Sequence, residues 1–254
     1  MTIKKKTLYF LITILFTQIG YAKSISNTEL ISVISEQRGL TQKFLKNYSM
    51  IGMNLGFRNP KESLEKEIKI FDENLIILSK SNKNNKIKKM LRKINTIWKD
   101  EKKVLIKSVS KNKIKQLFAQ NNKLLKEFNS VMKELNKISI INISSKQEML
   151  SQKIMALYVI NGSKGLNFKV KKELNKTLKV FKKALTSLKK SSLNSATTRK
   201  KLLRVSRYFA FIKMQISLKS VGFTPSLVHR KTDIILELMK SITAEYIQTT
   251  KGKK

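Results

Sequence analysis

Gln37 and Thr41 are polar residues at positions where a helix would otherwise be apolar. At about 100° per residue, Leu30, Val33, Phe44, Tyr48 and Ile51 fall on one stripe, and Gln37 and Thr41 fall inside it. Gln147 and Ser151 do the same further along, flanked by Ile140, Ile143, Ile154 and Tyr158. A polar side chain in a core stripe costs free energy unless it is hydrogen-bonded. Two readings follow. These residues either fix the register of packed helices by bonding to a facing helix, or they line a small polar site between helices. Arg38 and Gln42 lie on the flank of the stripe. A guanidinium there can reach a neighbouring helix or a second subunit, and its planar fork suits a planar or carboxylate-like anion. It can equally be an ordinary surface arginine.

Other chemistry is poorly supplied. There are no cysteines, and His229 is the only histidine. Thiol redox chemistry, multi-histidine metal sites and histidine-based catalytic triads therefore lack their members. The sequence holds no glycine-rich phosphate loop and no evident carboxylate pair. We expect no enzyme, no cofactor and no metal.

The elements that carry these residues are helices, and they come twice. Prolines are limited to Pro60 and Pro225, and apolar residues recur at spacings of three and four. A shift of 110 residues lays the chain on itself. Gln37, Leu40, Thr41, Gln42, Lys43 and Tyr48 then meet Gln147, Leu150, Ser151, Gln152, Lys153 and Tyr158, and Gly52 meets Gly162. Leu64, Ile68, Phe71, Leu75 and Leu78 meet Leu174, Leu178, Phe181, Leu185 and Leu188. The register then slips by one, so that Leu91, Ile94, Trp98 and Leu105 meet Leu202, Val205, Phe209 and Ile216, before it recovers. Periodic helices align apolar positions by coincidence, but not Gln, Thr/Ser, Lys, Tyr and Gly as well.

Each copy reads as four amphipathic helices. In the first they run from about Asn27 to Leu55, Glu62 to Ser79, Lys86 to Lys107 and Asn112 to Lys137. Short links close such helices into an antiparallel bundle. The expected fold is all-α, with two tandem four-helix bundles over 26–139 and 140–254. Ser144 with Gln147 has the spacing of a capping box opening the second copy, and Thr224-Pro225 has that of a cap and first helical position. Whether a continuous helix through 138–143 joins the copies is open.

Lys4, Lys5 and Lys6, an uncharged and mostly apolar run from Leu8 to Ile19, and Gly20-Tyr21-Ala22 have the order of a secretory signal peptide cleaved after Ala22. The run is short of the roughly 20 residues that span a bilayer. We expect a periplasmic or secreted protein with residues 1–22 removed. The formal net charge is +38, and loss of the three leader lysines leaves +35. Such a field attracts small anions, polyanions and anionic surfaces.

The segments Gln37-Arg38-Gly39-Leu40-Thr41-Gln42-Lys43 and Gln147-Glu148-Met149-Leu150-Ser151-Gln152-Lys153 resemble the Gln-Arg-Met-Leu-Ser-Gln-Arg signature of the PilJ-type domain. That is the N-terminal sensor domain of type IV pili methyl-accepting chemotaxis transducers, and it is related to the NarX-like nitrate and nitrite sensor domain. The resemblance implies a periplasmic helical bundle, tandem copies, a homodimer, and binding of a small anion such as nitrate or nitrite. In NarX-like sensors the signature arginine binds the anion from both subunits. Arg38 stands at that position in the first copy, and Glu148, which repels an anion, in the second. Lys43 and Lys153 replace the final arginine and lose its fork. Together with the polar positions of the stripe, this makes Arg38, Gln37, Thr41 and Lys43, with Gln147 and Ser151, the residues expected around the ligand. Such domains normally precede a transmembrane helix and an output domain. This chain ends at Lys254 with neither, so a membrane-bound signalling partner is expected. The competing reading is a basic structural or adhesion module that binds polyanions or an anionic envelope surface.

Overall fold

The computed structural model describes residues 27–81, 84–135, 139–162, 168–217 and 222–251. The leader expected at 1–22 lies outside them. The described residues form eight α-helices and no strand. The first copy comprises α1 (Asn27–Gly52), α2 (Pro60–Ser81), α3 (Asn85–Leu105) and α4 (Lys111–Leu135). The second comprises α5 (Ile140–Gly162), α6 (Phe168–Lys189), α7 (Ala196–Ser217) and α8 (Pro225–Lys251). No helix among the described residues is long and apolar enough to cross a membrane.

Helix ends follow local chemistry. Pro60 and Pro225 each open a helix, where the missing N–H is not needed. α1 stops three residues earlier than its apolar pattern implies. Asn54 there adopts a left-handed conformation (φ 54°), and the Leu55 amide bonds back to the Met50 carbonyl at 2.9 Å. That arrangement satisfies an end carbonyl and closes the helix. The opening of α5 corrects an expectation. Ser144 lies a full turn inside the helix and bonds the Ile141 carbonyl, while Ser139 Oγ accepts from the Asn142 amide and caps the helix. Ser144 is the wrong serine because the helix begins earlier, where Ile140 and Ile141 can already be partly covered.

Within a copy, α1 packs on α2 and α4, α3 on α4 and, more lightly, α2 on α3; α5 to α8 repeat the scheme. Cross-helix bonds such as Asn47–Glu67 with Asn74–Glu36, and Lys86–Glu134 with Lys93–Glu127, show that neighbours in a copy run antiparallel. The copies meet through α1 and α5. Arg38 reaches Asn142 and Lys46 reaches Gln152, so this pair runs parallel. Both helices are therefore wrapped on all sides. From Ile154 to Ile160 every residue of α5 is buried.

The matched Tyr and Gly residues do the same task twice. Tyr48 Oη lies 3.4 Å from the Ser108 carbonyl in the α3–α4 loop, and Tyr158 Oη accepts from the Thr224 amide at 2.9 Å in the α7–α8 loop. A Cβ on Gly52 would lie 2.7 Å from Val109 Cγ1, and one on Gly162 2.2 Å from Phe223 Cε2. These glycines let the loop fold down onto the helix end. Gly52→Ala should therefore lower stability by about 1–3 kcal/mol, the usual penalty of overpacking. Urea denaturation measures this, and an unchanged midpoint would contradict it.

Candidate functional site

The α1–α5 seam is the place where the two signature segments meet, and it is polar. Arg38 is 2% exposed. Its Nη1 donates to Asn142 Oδ1 at 3.1 Å, while its Nε is buried with no hydrogen-bond partner. Burial lowers its pKa to about 10, and the nearby Glu148 carboxylate partly offsets the fall, so the guanidinium keeps its charge at neutral pH. Glu148, the residue matched to Arg38 by the repeat, accepts from Thr243 Oγ1 of α8. Burial pushes its carboxyl up to about 7; the Thr243 bond, Lys240 and Arg38 pull the other way.

A second tie lies two turns along. Lys46 is 6% exposed, donates to Gln152 Oε1 at 3.0 Å and sits 3.8 Å from Asp233 Oδ1. Burial lowers its pKa, and Asp233 and Glu67 oppose that. Asp233 also lies 3.2 Å from His229 Nδ1. Burial first, and Lys46 second, lower the His229 pKa to about 4, so the imidazole is neutral at pH 7. Phe57, in the loop after α1, sets its ring edge-on to that imidazole.

A cleft of about 500 Å³ lies between α1, α5 and α8, and Arg38 is not part of its wall. Its wall includes Ser35, Glu36, Lys43, Glu148, Lys240 and Thr243. The Ser35 hydroxyl is buried there without a partner.

The six sequence candidates divide between two directions. Arg38 faces the seam and Lys43 the cleft, where Lys43 also lies 3.8 Å from Glu67. Gln37 turns to its own copy and donates to the Phe71 carbonyl of α2 at 3.0 Å. Thr41 donates to the Arg38 carbonyl, and its own carbonyl accepts from Asn121 of α4. Ser151 donates to the Glu148 carbonyl at 2.7 Å. Gln147 is fully buried, with neither side-chain polar atom bonded. Lys46, Asn142, Asp233 and Thr243 belong to the seam but were not singled out by sequence. The available signal was the unbroken apolar run of α5: a helix apolar all round is a central one, so its partner had to be sought.

Among the described residues, no group of three or more His, Asp or Glu side chains is placed to hold a metal ion. No family model, no curated protein and no solved structure matches this chain.

Proposed function

We propose that the protein is an exported, non-catalytic sensor module of the PilJ and NarX-like kind, which takes a small anion at the Arg38 seam and passes its state to a membrane-bound partner. The observation that carries this reading is Arg38 itself: a charged guanidinium, buried between the copies, with an unpartnered Nε. The internal pair α1 and α5 takes the place of the two subunit helices in a homodimeric sensor. Nitrate or nitrite fits the planar fork, and a small carboxylate does so equally.

Glu148 sets the conditions. When ionised it is the counter-ion of Arg38 and competes with any anion. When protonated it leaves the positive charge unmatched. With its pKa near 7, binding should tighten as pH falls from 8 to 6. A thermal-shift series tests this on residues 23–254, which hold all eight helices. Nitrate, nitrite, chloride, sulfate and small carboxylates are compared at constant ionic strength and at pH 6 and 8. A ligand at a hundred times its Kd stabilises the native state by about 2.7 kcal/mol. One or two anions should raise the midpoint, more at pH 6. Arg38→Ala should abolish the shift, and Glu148→Gln should keep it while removing the pH dependence. If no anion acts selectively on the wild type, the ligand reading is wrong.

A further inference from the structure

Positive charge is distributed unequally between the two copies. From 168 to 217, which spans α6 and α7, there are fifteen Lys and Arg residues and one acid, Glu173. Glu173 is engaged by Lys153 at 2.6 Å. The matched pair α2 and α3, from 60 to 105, carries thirteen basic residues against seven acids. Codon or compositional bias acts on both copies alike and does not produce this difference.

The outward face of α7 differs in kind as well. Leu203, Arg204, Arg207, Ala210, Lys213 and Met214 are all exposed. Leu203 and Met214 are each 46% exposed. Their matches in the first copy are Arg92, Lys93, Thr96, Lys99, Lys102 and Lys103, with no apolar residue among them. Two positions that are basic in α3 are thus large and apolar in α7, within a helix pair that carries a single acid. Between α6 and α7 runs a groove of about 490 Å³, with Leu185, Phe209 and Met214 on its wall alongside Lys182, Lys189 and Lys213. The corresponding α2–α3 groove, about 560 Å³, also has an exposed apolar residue, Ile76, but it carries Asp72 in its wall, where the α6–α7 groove has no acid. At the flank of α7, Lys231 of α8 lies over the Tyr208 and Phe211 rings at 4.9 and 5.5 Å.

We propose that the α6–α7 face of the second copy docks onto an anionic phospholipid bilayer. A basic helix face interleaved with exposed apolar side chains is what a membrane interface accommodates: the apolar groups enter the acyl boundary, and lysine and arginine reach back to headgroup phosphates. A nucleic acid or cell-wall polyanion is held chiefly through its charge and has no acyl layer in which Leu203 and Met214 could be buried. The proposal does not depend on the Arg38 seam, which lies on the other side of the second copy's helices α5 and α8.

Vesicle flotation with residues 23–254 tests it, comparing phosphatidylcholine vesicles with vesicles containing a third phosphatidylglycerol. The wild type should bind the anionic vesicles at least about tenfold more tightly, and less so as salt rises. Leu203→Ser with Met214→Ser leaves the charge unchanged and should weaken binding about tenfold. Arg204→Glu with Lys213→Glu should weaken it further. The same charge change on the first copy, Arg92→Glu with Lys103→Glu, should alter it less than about twofold. All six positions are exposed or outward-facing, and circular dichroism checks that the variants fold. If the serine pair binds like the wild type, or both reversal pairs weaken binding equally, bulk charge is responsible and the lipid assignment fails. Displacement of the vesicles by heparin with no effect of the serine pair would identify a polyanion as the occupant instead.

Discussion

Replacing Glu101 with glutamine should raise the unfolding midpoint at pH 9 and leave it nearly unchanged at pH 5. Glu101 is fully buried on α3. Asn121 Nδ2 donates to its Oε1 at 3.1 Å, and the other oxygen has no partner. Burial pushes the carboxyl up to about 8, and the Asn121 bond offsets this only in part. The folded pKa thus exceeds the ordinary value of 4.5. Between about pH 4.5 and 8 the native state holds the proton more tightly than the unfolded chain, so stability falls as pH rises through that window and levels off above it. The loss is on the order of 4 kcal/mol, or about 10 °C for a chain of this size. Glutamine keeps the acceptor for Asn121 and has no proton to lose. Glu148, with its carboxyl near 7, acts in the same direction over a narrower range. Melting curves of Glu101→Gln and wild type from pH 5 to 9 measure the gap. A gap independent of pH would show that Glu101 is not the buried acid described.

Phe71→Ala should lower stability by about 3–5 kcal/mol, and by more than the matched Phe181→Ala. Phe71 is fully buried on α2. Its ring lies 5.3 Å from Phe44 of α1, 4.1 Å from Trp98 of α3 and 5.9 Å from Phe128 of α4, so one side chain touches all four helices of the copy. Phe181 stacks on Phe209 at 4.5 Å. Each aromatic pair adds about 0.5–1.5 kcal/mol beyond area burial. Urea titrations with unchanged slope give both losses. Equal losses would mean that the cluster in the first copy contributes nothing beyond the burial of a single ring.

The helices and most of the core were legible because they rest on local signals. Pro225 marks a start, and Leu64 with Leu174, or Trp98 with Phe209, occupy equivalent core positions. The seam was much less legible, and the reason is physical. Two copies that meet through the same helix bring like residues towards one another, and like charges there would repel. The copies therefore differ at seam positions: Arg38 where the second has Glu148, and Lys46 where the second has Ala156. A comparison that looks for sameness passes over Lys46. A stripe on a single helix also cannot tell which neighbour covers which flank. That is why Gln37, placed beside Arg38 on sequence, turns to α2 while Arg38 turns to α5.

The parallel pairing of α1 and α5 within one chain also fixes how the seam responds to dilution. Two separate subunits would part once their concentration dropped below the dissociation constant of the pair. Here residues 136–139 tether one half to the other, and a short tether holds its ends at an effective concentration on the order of millimolar. Closure of the seam is then a unimolecular event, as complete in a single molecule as in a crowded solution.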